Sequence, residues 1–185
     1  MSPLDPRAPL VLDTRTLARA PGEMRVVTVT EPAPDDLAND VIGVPVGADL
    51  ALDLRLESVL EGILVSGTVT AIARGECVRC LDPVTLEVSL PVQELYAYPG
   101  ASSADDEEIL QLEDDLLDLE PVVRDGVVLA LPLQPVCRDD CPGLCPTCGA
   151  RLVDDPEHGH EEVDPRWSAL LAMTDAESDA PGADQ

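Results

Sequence analysis

The segment Cys137-Arg-Asp-Asp-Cys141-Pro-Gly-Leu-Cys145-Pro-Thr-Cys148-Gly149 decides how this chain must fold. Its four cysteines form two pairs at the spacing of metal ligands. Two thiolates separated by two residues can bind one ion, and a glycine after the second cysteine lets the backbone turn so that amide N–H groups face the sulfurs. Metal sites of this kind usually stabilise structure, so the segment indicates a fold organised around bound metal.

The rest of the chain supplies matching ligands. One cysteine pair lies upstream and one histidine pair lies downstream, and the chain has no cysteine or histidine left over. Eight soft ligands are the number that two closed tetrahedral zinc sites need. We therefore predict two structural zinc ions as the cofactor, held by Cys77, Cys80, Cys137, Cys141, Cys145, Cys148, His158 and His160.

The eight ligands can be divided in three ways. In the arrangement that we prefer, Cys77, Cys80, Cys137 and Cys141 hold one ion, and Cys145, Cys148, His158 and His160 hold the second. A zinc ribbon would instead pair the two Cys-x-x-Cys motifs. A third arrangement places the four cysteines of residues 137–148 around one ion or an iron–sulfur cluster. The sequence leaves all three open.

The N-terminus bears on the redox state of the cysteines. Residues 1–12 have no basic start, no long apolar stretch and no small-residue cleavage site, so they do not resemble a secretory signal. No apolar stretch approaches the ~18–20 residues that a membrane span needs. We therefore predict a cytoplasmic protein, and in the cytoplasm paired cysteines bind metal more often than they form disulfides.

Composition and charge restrict the function further. Aromatic residues make up only 2% of the chain and phenylalanine is absent, so the core must be aliphatic. All eleven basic residues are arginines, which excludes lysine nucleophiles and P-loop lysines. The formal net charge of −26 repels nucleic-acid phosphates unless the arginines gather on one patch. This charge favours a basic partner.

The first hundred residues alternate with the period of β-strands. Apolar residues at positions 50, 52, 54 and 56 alternate with polar or small ones, and the same pattern recurs from Val84 to Val92. Half-buried antiparallel strands give this alternation. Met24–Thr30 and Ile63–Ala73 are two more predicted strands, with a hairpin turn at Glu61-Gly62. Thr14–Arg19 is predicted as a short helix.

Helical spacing appears after residue 118. Apolar residues from Leu119 to Leu131 follow it, with Asp118 as the expected N-cap, Pro121 in the first turn and Pro132 as the stop. A second short helix is predicted to begin at Asp164-Pro165 and to carry Trp167, Leu170 and Leu171.

The fold class is therefore α+β, with an antiparallel β-rich N-terminal part, one main helix and a C-terminal zinc-knuckle region. We predict a β-rich region at 10–98 that contains the first Cys-x-x-Cys, an acidic mobile loop at 99–115, a helix and metal-binding region at 116–173, and a disordered acidic tail at 174–185.

Four motifs resemble the YceD family of large ribosomal RNA subunit accumulation proteins, with a likeness that spans about residues 10–173. They are Cys77-Val-Arg-Cys80-Leu-Asp-Pro, Leu131-Pro-Leu-Gln-Pro-Val-Cys137, Cys141-Pro-Gly-Leu-Cys145-Pro-Thr-Cys148-Gly and Asp164-Pro-Arg-Trp. Some relatives carry Cys-x-Cys at the place of His158-Gly-His160, which favours a second metal site here. The resemblance implies a role in the synthesis, processing or stability of large-subunit (23S) ribosomal RNA.

The motifs of common enzymes are missing from the sequence. It has no nucleophile elbow, P-loop or dinucleotide fingerprint, and metal binding would occupy both histidines. We predict a non-catalytic factor for ribosome assembly, whose partner is a basic ribosomal protein or the precursor of the large ribosomal subunit. Contact with rRNA is not required, and any contact would use Arg74, Arg79, Arg138, Arg151 and Arg166. No membrane or small-molecule substrate is expected. The alternative is a zinc-stabilised adaptor or regulator without a ribosomal role.

Overall fold

A computed structural model describes residues 4–17, 19–100 and 110–160 of the chain. Seven strands and one helix occur there, in the order β1 Val11–Asp13, β2 Met24–Pro32, β3 Ile42–Gly43, β4 Asp49–Ser58, β5 Gly62–Glu76, β6 Pro83–Ala97, β7 Leu116–Asp118 and α1 Glu120–Ala130. The chain divides into two compact units, Met1–Cys141 and Pro142–Gln185. All eight elements belong to the first unit.

The main sheet is antiparallel and has five strands. β4 pairs with β2 on one side and with β5 on the other, and β5 also pairs with β6 and with the short β3. The turn between β4 and β5 closes where the N–H of Val59 donates to the carbonyl of Gly62 at 2.9 Å, which confirms the predicted hairpin. The two predicted strands at Met24–Thr30 and Ile63–Ala73 are also confirmed, each slightly longer than expected.

One face of this sheet forms the core. The four alternating leucines of β4 are at most 1% exposed, as their spacing predicts, and Val65 and Val69 of β5 lie on the same face. On β6 the alternation holds less strictly, because Val88 and Val92 are buried whereas Leu86 is 37% exposed. Helix α1 packs on β6, where Gly126 leaves room for the side chain of Leu90.

The helix begins one residue later than predicted. Leu119 is its N-cap and makes no side-chain capping bond, so the assignment of Asp118 as N-cap is wrong. Asp118 is instead the last residue of β7, held by pairing with Val11 of β1, and its carboxylate accepts the N–H of Glu120 at 2.9 Å. Pro121 in the first turn and the end of the helix before Pro132 agree with prediction.

The predicted helix at Thr14–Arg19 is also wrong in the described residues. Residues 14–17 make a single turn, in which Leu17 N–H donates to the carbonyl of Thr14. Both the N–H and the hydroxyl of Thr14 donate to the carbonyl of Asp115, at 2.9 and 2.7 Å. These long-range bonds hold the segment against the loop before β7 and draw Thr14 out of any helix.

Some predictions fall outside the described residues. They include most of the acidic loop, at 101–109, the second helix at Asp164-Pro165, Arg166 and the tail at 174–185. Within the described part, residues 110–112 continue from this loop and bond to the end of β6, where Leu112 N–H donates to the carbonyl of Ala97 at 3.0 Å.

A single core position provides a test of the fold. Leu54 in the middle of β4 is 1% exposed, and truncating such a leucine removes apolar contacts and leaves a cavity. We expect Leu54→Ala to lower the free energy of unfolding by about 2–5 kcal/mol in a denaturant titration. Val26→Ala on the neighbouring strand β2 is the control, because Val26 is 69% exposed and its loss should change the unfolding free energy by less than about 0.5 kcal/mol. Equal effects of the two changes would contradict the assigned sheet faces.

Candidate metal centres

The first knuckle is the turn that connects β5 to β6. Cys77 and Cys80 lie in this turn, directly between Glu76 at the end of β5 and the start of β6. The N–H of Leu81 donates to the carbonyl of Cys77 at 2.9 Å, and the N–H of Cys77 donates to the carbonyl of Asp82 at 2.8 Å. The long β5–β6 hairpin therefore fixes the direction of both thiols.

The segment after α1 brings the second cysteine pair to this knuckle. The N–H of Val78 donates to the carbonyl of Pro135 at 2.9 Å. The guanidinium of Arg79 donates to the carbonyls of Asp139 and Cys141, at 3.3 and 3.0 Å. These bonds join two stretches of chain that are about sixty residues apart in sequence, and they place Cys137 beside Cys80.

The four thiols converge on one point. Cys77 Sγ lies 3.8 Å from Cys141 Sγ, and Cys80 Sγ lies 3.6 Å from Cys137 Sγ. All four sulfurs are within 4.8 Å of one another. A tetrahedral zinc ion with Zn–S bonds near 2.3 Å would separate its sulfurs by about 3.8 Å. The group fits a single four-coordinate ion, and three of its members, all except Cys137, are buried.

The second knuckle lies wholly in the second unit. The N–H of Cys145 donates to the carbonyl of Ala150, and the N–H of Gly149 donates to the carbonyl of Cys145, both at 2.8 Å. Gly149 has a φ of 72°, which glycine adopts at little cost. The backbone bridge between Leu144 and Arg151 then returns the chain toward the histidines.

The histidines complete the second group. Cys148 Sγ lies 3.1 Å from His158 Nε2 and 3.2 Å from His160 Nε2, and the two Nε2 atoms are 3.0 Å apart. These separations are a few tenths of an ångström shorter than the edges of a tetrahedral zinc site, which are about 3.4 Å between nitrogens. With Cys145, these residues form a set whose ligand atoms all lie within 4.8 Å. The carboxylate of Asp155 is 3.8 Å from His158 Nδ1, too far for a direct hydrogen bond.

In each of the two ligand groups, the surroundings lower the pKa of one cysteine thiol and so favour its thiolate form. Burial opposes ionisation of Cys77, but backbone N–H groups of Cys137, Arg79 and Cys80 outweigh it and lower the pKa of this thiol to about 6. The N–H of Cys148, against a smaller effect of burial, likewise lowers the pKa of Cys145 to about 6. Thiolates are the form in which cysteine binds metal. At Cys80 the backbone N–H of Asp82 lowers the pKa, but burial and the neighbouring thiols raise it to about 12. Backbone N–H groups therefore favour a thiolate at one position of each knuckle, Cys77 and Cys145.

The observed grouping is that of the preferred arrangement. Cys77, Cys80, Cys137 and Cys141 meet in the first unit, and Cys145, Cys148, His158 and His160 meet in the second. Among the described residues, the ligands of each of these two groups come from a single unit. Each group can hold a metal ion, and four ligands per group would fill a tetrahedral coordination sphere.

The arginines near these centres have local acceptors. Arg138 pairs with Asp140 at 3.2 Å, and Arg151 pairs with Asp154 at 3.7 Å. Arg79 supports the first centre through carbonyl oxygens, a role that the sequence reasoning missed. The sequence feature that indicates this role is the position of Arg79 between the ligand cysteines Cys77 and Cys80.

Comparisons with known proteins place the chain among relatives. A family model described as "Large ribosomal RNA subunit accumulation protein YceD" matches residues 65–174. An uncharacterized protein of Mycobacterium tuberculosis H37Rv is 45% identical over 175 residues, which cover 93% of this chain and 84% of that protein. An uncharacterized protein of Mycobacterium leprae is 40% identical over 169 residues, which cover 90% and 78%. The uncharacterized protein YlbN of Bacillus subtilis is 30% identical over 106 residues, which cover 55% and 62%. No solved structure matches significantly.

Proposed function

The chain belongs to the YceD family of large ribosomal RNA subunit accumulation proteins, and we propose that it is a non-catalytic zinc-binding factor supporting the synthesis, processing or stability of 23S ribosomal RNA. The family match is the observation that carries the ribosomal part of this proposal. We place this activity in the cytoplasm. Among the described residues, no helix has the length and apolar character to cross a bilayer.

The donor sets support zinc as the metal. One group offers four thiolates and the other offers two thiolates and two imidazoles, and zinc prefers these ligands in tetrahedral geometry. Carboxylates, which magnesium and calcium prefer, are absent from both sets. When bound, zinc would supply structural cross-links. The backbone N–H groups around Cys77 and Cys145 would stabilise the thiolates that hold it.

A non-catalytic role is consistent with this coordination. A catalytic zinc ion keeps one position open for water or substrate, whereas four protein ligands close the sphere. Both histidines belong to the second group, so neither serves as a free general base.

The partner in this proposal is a basic ribosomal protein or the precursor of the large subunit. The net charge of −26 favours a cationic surface over naked RNA. The carbonyl contacts of Arg79 and the carboxylate contact of Arg138 support the same choice, because they occupy side chains that could otherwise bind phosphate. RNA contact is therefore secondary, and neither a membrane nor a small-molecule substrate is part of the proposal.

Depletion of the protein tests this function. In the source organism, we expect depletion to reduce 23S rRNA relative to 16S rRNA and to lower the large-subunit peak in a sucrose gradient. Re-expression of the wild type should restore both. A normal gradient and a normal ratio of the two RNAs after depletion would contradict the ribosomal role and would favour the zinc-stabilised adaptor.

A further inference from the structure

Leu81 has an unusual backbone conformation for an exposed residue. It directly follows Cys80 in the first knuckle and has a φ of 61°, in the left-handed region that bulky side chains rarely adopt. In the second knuckle the equivalent position is Gly149, with a φ of 72°. The two residues make the same hydrogen bond, from their N–H to the carbonyl of the first knuckle cysteine, at 2.9 and 2.8 Å. The turn therefore requires this conformation and accommodates glycine better than leucine.

Burial within the described part of the chain does not offset the strain at Leu81. Leu10 also has a positive φ, of 64°, but it is 1% exposed and gains core packing in return. Leu81 is 60% exposed. The knuckle turn enforces this conformation at Leu81, and residues held in such strained conformations cluster at functional sites.

Other apolar side chains accompany Leu81 at this knuckle. Val78 is 40% exposed, and its N–H bond to Pro135 ties the knuckle to the stretch that contains Leu133, which is 81% exposed. We call Val78, Leu81 and Leu133 the knuckle patch. Val78 and Leu81 share one turn, and exposed apolar residues that lie together mark interaction sites more often than single exposed leucines do.

The negative charge around the knuckle patch favours a cationic partner. Residues 76–82 and 137–141 together carry four carboxylates, on Glu76, Asp82, Asp139 and Asp140, against the arginines at 79 and 138. Four thiolates around a divalent ion would add a net charge of about −2. An acidic surface that presents apolar anchors fits a cationic protein surface with an apolar pocket. The negative charge of the same surface repels a phosphate backbone.

We propose that the knuckle patch, with Leu81 as its central anchor, is the surface through which this protein docks on a basic protein component of the large-subunit precursor. This inference rests on the proposed function, because it names the class of partner. It also explains why leucine stands where glycine would fit the turn with less strain.

Two variants separate docking from folding. Leu81→Gly relieves the backbone strain, and Leu81→Asn keeps a side chain that tolerates positive φ while removing the apolar anchor. Leu60→Asn is the control, because Leu60 is 85% exposed in the β4–β5 turn, away from the knuckle. Each variant is loaded with zinc, and we would measure its Tm, its zinc content and its co-sedimentation with purified large-subunit precursor particles and with protein-free 23S rRNA.

We expect both Leu81 variants to keep their zinc and a Tm equal to or above that of the wild type, while particle binding weakens about tenfold or more. Leu60→Asn should bind as the wild type does. A fall in Tm would show that Leu81 packs within its own chain, and unchanged particle binding would exclude it as an anchor. Binding of naked rRNA as tight as that of particles would assign the surface to RNA. Each of these three results overturns the inference, whereas the depletion experiment decides the proposed function separately.

Discussion

Removal of metal with a strong chelator is expected to unfold residues 137–160 and to lower the Tm of the whole chain by at least about 10 °C. A structural zinc ion contributes about 10–16 kcal/mol of apparent binding free energy in small peptides, comparable to the entire stability of a typical domain. In a chain of this size, 1 kcal/mol shifts the Tm by about 2–4 °C. The aromatic content of 2% leaves few large side chains to compensate.

Hydrogen exchange and thermal unfolding, with and without chelator, measure this effect. Amides at Cys141, Cys145 and Gly149 should lose protection first, whereas those of β4 and β5 should remain protected. Zinc added back should restore the Tm, and magnesium should not, because the donor sets contain no carboxylate. An unchanged Tm and unchanged exchange in the chelated protein would show that metal does not hold the fold.

The two metal centres should differ in how much stability they provide. Cys77 and Cys141 are 64 residues apart in sequence, whereas Cys148 and His160 are separated by 12. An ion at the first centre closes the longer loop, and closing that loop removes about 1.5 kcal/mol more conformational entropy from the unfolded chain. Cys77 is also 0% exposed, so its replacement disturbs the end of the main sheet.

We therefore expect Cys77→Ser to lower the Tm of the first unit more than Cys148→Ser does. Each variant should lose one ion per chain. Ala73→Ser is the control for a hydroxyl introduced at a buried position, since Ala73 is 0% exposed in β5, and Thr147→Ser is the control for a change inside the second knuckle. Both control variants should keep two ions. A Cys148→Ser protein that loses both ions, or a larger Tm loss than that of Cys77→Ser, would contradict the assignment of two independent centres.

The sequence predicts most of the regular structure because burial imposes a period on it. The leucines of β4 alternate since one face of that strand covers the core, and the apolar residues of α1 recur at helical spacing since one side of the helix packs on β6. The short strands β1 and β7 have three residues each, which is too few for any period to show. The two strands that pair are more than one hundred residues apart in the sequence. Because no local pattern reveals this pairing, the sequence led to helical roles for Asp118 and Thr14.

The candidate metal centres are predictable in part for a similar reason. The spacing within each ligand pair is local, so the sequence identifies the pairs. Which pairs meet depends on the β5–β6 hairpin and on the bond between Val78 and Pro135, neither of which has a local signature. The positive φ of Leu81 could not be read from the sequence either, because leucine gives no turn signal.

Native mass spectrometry of the purified full chain tests the central claim most directly. Under conditions that preserve bound metal, we expect one dominant species whose mass exceeds that of the polypeptide by two zinc ions, and elemental analysis should identify zinc in the same sample. A chain that carries one ion, none, or an iron–sulfur cluster would contradict the account of two closed zinc centres.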